Sequence, residues 1–143
     1  MYEIREYDIR DKENLINLWV NVSIDEYGFT EWKNSMNQVN ENDFEKILVA
    51  VCEDDIVGSM AYKKINDNTA ELKRIYLYPN YRGKGIATSL YKEIMNIIKE
   101  HHYKKIIVET RERFESGIAF YYKNHFELES HENEKYIFSL NID

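Results

Sequence analysis

Twelve residues constrain this chain more than any other stretch: "LYPNYRGKGIAT", Leu77 to Thr88. They hold the sequence's only proline and two of its five glycines, together with an arginine and a lysine. An alternating apolar run precedes them. Ile86, Leu90, Ile94, Ile97 and Ile98 come after at helical spacing, so the stretch is a strand-to-helix junction. A helix start leaves its first amide N–H groups without intrahelical partners and carries about half a positive charge. Gly83 and Gly85 let the backbone bend so that successive N–H groups converge, and they clear side chains from a ligand's approach. Arg82 and Lys84 add formal charge. The junction is built like a cradle for a phosphate or pyrophosphate.

Periodicity orders the rest of the chain. Glu3 to Asp8 alternates as a short strand. Asp11 can cap a helix with the apolar face Leu15, Ile16, Trp19 and Val22. Trp32, Met36 and Val39 suggest a second short helix after Thr30. Strands are expected at Ile47–Cys52, Ile56–Ile65 and Thr69–Tyr78. The intervening turns, Glu53-Asp54-Asp55 and Asn66-Asp67-Asn68, are short enough to make an antiparallel meander. After the glycine junction come a helix from about Gly85 to Glu100, a buried strand at Lys105–Thr110 and a helix at Glu115–Asn124. A closing hairpin of Phe126–Ser130 and Lys135–Asn141 surrounds "HENE". Strand, helix, strand around the junction implies one parallel pair in an otherwise antiparallel sheet. The expected architecture is a mixed α+β fold, one domain over residues 1–143, with about four helices flanking the sheet.

A net charge of −7 weighs against general nucleic-acid binding, which needs Lys and Arg to neutralise phosphates. It mildly favours a cationic substrate, steered in by a negative field. No stretch approaches the ~18 unbroken apolar residues of a membrane span. The N-terminal segment lacks the apolar core of a signal peptide, and Cys52 has no second cysteine to pair with. A cytoplasmic location is expected, without membrane or nucleic-acid partners. His101, His102, His125 and His131 lack metal-ligand spacing, so no metal is expected.

Three phosphate-binding patterns compete for the junction. A P-loop requires GxxxxGK[ST], but Lys84 sits between the glycines with no Ser or Thr after it. A dinucleotide fingerprint, GxGxxG, lacks its third glycine at Thr88, although Glu109 resembles that fold's ribose-binding acid. Pro79 to Arg82 also interposes a loop where that motif turns straight into its helix. The third pattern fits: Arg82-Gly83-Lys84-Gly85-Ile86-Ala87 resembles the [RQ]-x-x-G-x-[GA] signature of the GNAT acyltransferases. "AELKRIYLYPNYRGKGIATSLY" looks like that family's core strand, loop and helix. "IAFYYKNHF", Ile118 to Phe126, is similar to its A-I-x-F-Y-x-x-x-G-F helix.

The resemblance implies a GNAT fold with a splayed parallel strand pair, and acetyl-CoA as co-substrate. The backbone of Ile75, Tyr76 and Leu77 would pair with the pantetheine arm, and the amides from Gly83 to Thr88 would hold the pyrophosphate. It further implies acetyl transfer to a primary amine of a small molecule or peptide, by direct attack through a ternary complex. A homodimer is left open. Only about one amine in a thousand is neutral near pH 7.4, a barrier of roughly 4 kcal/mol, so a base is needed. Glu71 matches the catalytic glutamate of histone-acetyltransferase-like members. Glu109 matches the position used by ribosomal-protein N-terminal acetyltransferases. Tyr121, just after Phe120 and five residues before Phe126, matches the family's general acid. A non-catalytic acyl-CoA sensor of the same fold is the alternative.

Departures from the family pattern concern local geometry. His125 and His102 stand where glycine is usual, Gly117 where alanine is usual, and Phe114 where an asparagine often touches the cofactor. A non-glycine residue in a left-handed cap costs about 1 kcal/mol. Acceptor specificity is expected from Val22–Asp43, including Asp25, Glu26, Tyr27, Glu31 and Trp32, and from the "HENE" hairpin.

Overall fold

A computed structural model describes residues 1–26 and 38–142. The order is β1 (Glu3–Glu6), α1 (Lys12–Asn21), β2 (Lys46–Cys52), β3 (Asp55–Asn66), β4 (Thr69–Leu77), α2 (Ile86–Glu100), β5 (Lys105–Arg111), α3 (Glu115–Lys123), β6 (Glu127–Glu132) and β7 (Lys135–Asn141). The strands are arranged β1-β2-β3-β4-β5-β7-β6. β4 and β5 are parallel, while β1–β2, β2–β3, β5–β7 and β6–β7 are antiparallel. Among the described residues three α-helices are present where about four are expected. The short helix expected after Thr30 falls largely on residues 27–37, outside the described residues. No helix among the described residues is long and apolar enough to cross a membrane.

Contacts divide the chain into two compact units, Met1–Lys63 with Lys73–Ile97, and Lys64–Leu72 with Ile98–Asp143. In the first, the entry to α1 is a correction to the sequence expectation. Asp11 stands at the start of α1 but its side chain makes no cap bond there; Asp8 caps the preceding turn, its carboxylate accepting the Arg10 N–H at 2.9 Å while the Asp11 carboxylate accepts the Asp8 N–H at 2.8 Å. This reciprocal arrangement is a capping box around the 3-10 turn Ile9–Asp11. Asp11 also receives the Arg5 guanidinium fork, Nη1 to Oδ2 at 2.7 Å and Nη2 to Oδ1 at 2.8 Å. Arg5 holds the Asp11 carboxyl below its ordinary pKa, against the opposing effect of burial.

α1 buries Leu15, Leu18, Trp19 and then Val22 against Ile47 and Val49 of β2 and Ile56 and Ala61 of β3. Leu18 takes the place in the stripe expected for Ile16, which is only half-buried. Full burial of each large side chain contributes about 1.5–3 kcal/mol. Glu53 and Asp54, both left-handed (φ 50° and 71°), close the β2–β3 hairpin, as a two-residue turn of matching twist requires. Val57 is the extra residue where pairing passes from Ala50↔Gly58 to Val51↔Ile56, a β-bulge. Beside it a Cβ on Gly58 would lie 3.0 Å from Leu77 Cδ1 and 3.2 Å from the Tyr76 carbonyl oxygen. Glycine here allows β3 to lie close against β4.

In the second unit β4 and β5 pair in register from Thr69↔Lys105 to Leu72↔Val108. β4 continues to Leu77 and β5 to Arg111. β5 then pairs with β7 over its whole length. His102 and His125 do sit in left-handed conformations, φ 65° and 72°, at the ends of α2 and α3.

Gly58→Ala should lower unfolding free energy by about 1–3 kcal/mol in urea titration, because overpacking here meets main chain as well as a side chain. Asp11→Asn gives a pH-dependent test. A depressed carboxyl pKa stabilises the fold above the unfolded value of about 3.9 and loses that contribution as pH falls through the folded value. The stability gap between wild type and Asp11→Asn, read from urea melts, should therefore be wide at pH 7 and close towards pH 3.

Candidate functional site

The junction adopts the bend its glycines allow. Pro79–Tyr81 form a single 3-10 turn, and Gly83 and Gly85 are both left-handed, φ 75° and 84°. The Ser89 N–H donates to the Gly85 carbonyl at 3.0 Å, the first bond of α2, which makes Gly85 its cap. Helical geometry then turns the N–H groups of Ile86, Ala87 and Thr88 outward along the axis. The backbone from Arg82 to Gly85 is exposed, and a Cβ on Gly83 would meet nothing within 4 Å. Gly83 is thus needed for its dihedral, and the space beside it stays open. The Ile86 side chain is buried, so this position offers a ligand only backbone.

The two cations are engaged locally. Arg82 Nη2 donates to the Leu77 carbonyl at 3.2 Å, and Lys84 Nζ lies 5.6 Å from the centre of the Tyr81 ring. Tyr2, which no sequence motif singles out, fastens the helix start. Its hydroxyl lies 2.7 Å from Ser89 Oγ and donates to the Gly85 carbonyl at 3.3 Å.

Ile75, Tyr76 and Leu77, half-buried at the end of β4, come directly after a feature invisible in the strand pattern. Arg74 is left-handed, φ 54°, in the middle of a strand. Such a conformation costs a residue with a long side chain about 1–3 kcal/mol and persists only where the surroundings enforce it. Here Trp19 Nε1 donates to Ser59 Oγ at 3.0 Å, and Ser59 Oγ donates to the Arg74 carbonyl at 2.8 Å. The Arg74 guanidinium lies 5.2 Å from the Trp19 ring centre and 5.5 Å from that of Phe44. Burial lowers its pKa, opposed by Tyr76 and Asp43. Burial likewise raises the Tyr76 phenol, to which Ser23 Oγ donates at 3.3 Å. Tyr27, Glu31 and Trp32 lie outside the described residues.

In the second unit the candidates for proton transfer are divided between two faces. Glu71 stands opposite Ile107 of β5, and Glu109 lies two residues further along β5, so both share a face. Glu109 is exposed and pairs with Lys135 Nζ at 3.5 Å. Val108, Phe138 and Leu72 line the other face, where Tyr121 packs with ring centres 5.6 Å from both Phe126 and Phe138. Tyr121 is 5% exposed; its neighbour Tyr122 is 51% exposed and edges onto Phe138 at 5.0 Å. The two glutamates are brought to one face, and the tyrosine is not. In the "HENE" turn His131 stacks on Tyr136 at 3.9 Å and Glu134 pairs with Arg113 at 3.1 Å.

Comparison with known proteins identifies the class to which this geometry belongs. Residues 4–126 match the family model described as the acetyltransferase (GNAT) family, and the chain belongs to that family. It is similar to a spermidine N(1)-acetyltransferase of Thermoplasma acidophilum, 26% identical over 94% of each chain. The PaiA N-acetyltransferase of that organism, in a crystal structure in complex with coenzyme A, superposes with a TM-score of 0.81. It is 26% identical and 99% of each chain is covered. An N-acetylaspartate synthetase of Xenopus tropicalis is 40% identical over 63 residues, 43% of this chain and 23% of that protein. The chain thus spans under a quarter of that relative.

The bend at 83–88 fits a coenzyme diphosphate on its own chemistry: outward amides, an exposed main chain and open space beside Gly83. Gly83→Ala creates no clash but strains the left-handed residue by about 1–2 kcal/mol. It should weaken coenzyme A binding about tenfold by calorimetry and lower the melting temperature by about 2–8 °C.

Proposed function

We propose that this chain is an N-acetyltransferase that moves an acetyl group from acetyl-CoA to the primary amine of a small molecule, by direct attack in a ternary complex. The observation that carries the reading is the paired left-handed glycines at the solvent-open start of α2, in a chain of this family. The thioester supplies an acyl group already activated for transfer. The chain's own task is proton management and placement.

The amides of Gly83 to Thr88 hold the diphosphate, with Arg82 and Lys84 adding charge around it. The backbone of Ile75 to Leu77 offers the edge against which the pantetheine arm lies. Glu71, half-buried, takes the proton that the ammonium must lose. Glu109 is the second candidate for that role, although its pairing with Lys135 makes it the less available acceptor. Tyr121 supplies the proton for the departing thiolate. Its burial among Phe126 and Phe138 fixes the ring.

One observation favours a second reading, a non-catalytic acyl-CoA-binding module: Tyr121 lies on the face away from both glutamates. Thiol release with acetyl-CoA and a panel of amines separates the two. Wild type should turn over at least one amine. Glu71→Gln and Tyr121→Phe should each bind coenzyme A within twofold of wild type and turn over at least tenfold more slowly. Wild-type rates in Tyr121→Phe remove it from the acid role, and coenzyme binding without turnover by any amine supports the module.

A further inference from the structure

Arg74 combines two costs in one residue. Its backbone is left-handed inside a strand, where glycine or asparagine is the unstrained choice. Its half-buried guanidinium lies over the faces of Trp19 and Phe44, two rings whose centres are 6.2 Å apart, and among the described residues no hydrogen bond or ion pair answers it; the buried Nε is without a partner. Asp43 acts on it through space only, and Tyr76 is the other group that bears on its charge. A structural arginine normally satisfies its fork with a carboxylate, as Arg5 does with Asp11. Packing alone does not account for Arg74, because an apolar residue would cover the two rings without a desolvated charge.

The neighbourhood says what would answer it. The side chain belongs to the residue just before Ile75–Leu77, and its carbonyl is pinned by Ser59, so the fork projects from a fixed root. The two adjacent rings cover part of the guanidinium, and the lower local dielectric strengthens any charge pairing made there. An anion is the complement, and a planar carboxylate matches the fork. A polyamine is the wrong ligand: a second uncompensated cation beside a desolvated guanidinium is repelled.

We propose that Arg74 recognises a carboxylate on the acceptor, so that the amine acetylated by this chain belongs to an amino-acid-like molecule and not to a polyamine. This rests on the transfer reading above. Arg74 is then a specificity residue that touches substrate away from the reacting atoms.

The test measures thiol release from acetyl-CoA with amino acids, each paired with its carboxamide, and with spermidine. Wild type should show kcat/KM at least tenfold higher for the free acid than for the carboxamide, and lower still for spermidine. In Arg74→Gln that ratio should fall to within twofold of unity. The change should be carried by KM for the acid, with carboxamide kinetics and coenzyme A affinity unchanged. Arg74→Lys, which keeps the charge but not the fork, should fall between the two. Equal loss on acid and carboxamide in Arg74→Gln, or a wild type that prefers spermidine or shows no acid preference, overturns the proposal. Should Arg74→Gln fail to fold, the wild-type ratio and Arg74→Lys decide alone. Thiol release without acid preference leaves the transfer reading standing; no release from any amine overturns both.

Discussion

The hydrogen bond from Ser59 to the Arg74 carbonyl governs how this molecule presents β4. A strand of ordinary twist would run from Thr69 to Leu77 with its side chains alternating throughout. The left-handed residue at 74 interrupts that alternation. The clamp reaches back through Ser59 to Trp19, one of the most buried side chains of the first unit. The hydrophobic cluster around α1 therefore holds a backbone conformation as well as a helix. Gly58, one residue before Ser59, serves the same end by letting β3 approach the carbonyl of Tyr76.

At the other end of the loop the design is different. Nothing packs against Gly83, and the bend is defined by dihedral freedom, the 3-10 turn at Pro79 and the tether from Tyr2. Main-chain donors are fixed by the helix they begin, so a ligand met there finds its partners preset. The side chains that add charge, Arg82 and Lys84, rest on the loop itself.

Much of this architecture is legible in the residues. The alternation at β2 to β4, the helical stripe of α2 and the punctuation by Pro79, Gly83 and Gly85 each reflect a local rule, and the strands and helices fall within a residue or two of those patterns. The parallel β4–β5 pair stems from strand, helix, strand. The left-handed histidines 102 and 125 stand where glycine is usual. The illegible features depend on contacts distant in sequence. The Asp11 carboxylate makes no cap bond to α1; it is taken up by the Arg5 fork and the Asp8 N–H. "ELKRIYL" reads as unbroken strand, while the hydrogen bond that holds the Arg74 carbonyl comes from Ser59, fifteen residues away and itself bonded by Trp19. The face on which Tyr121 lies is set by pairing between β5 and β7, which a motif match cannot supply.

The outermost strand, β6, carries a further implication. All six of its residues, Glu127 to Glu132, are exposed, and its pairing slips between Leu128 and Ser130. Glu129, at that slip, is drawn to Lys105. An open ribbon flank is a ready template for uncontrolled polymerisation. Here carboxylates at Glu127 and Glu132 and a local distortion set that template against itself. A second molecule laid along it would bring like charges together and find the ladder out of step, so edge-to-edge pairing there is disfavoured.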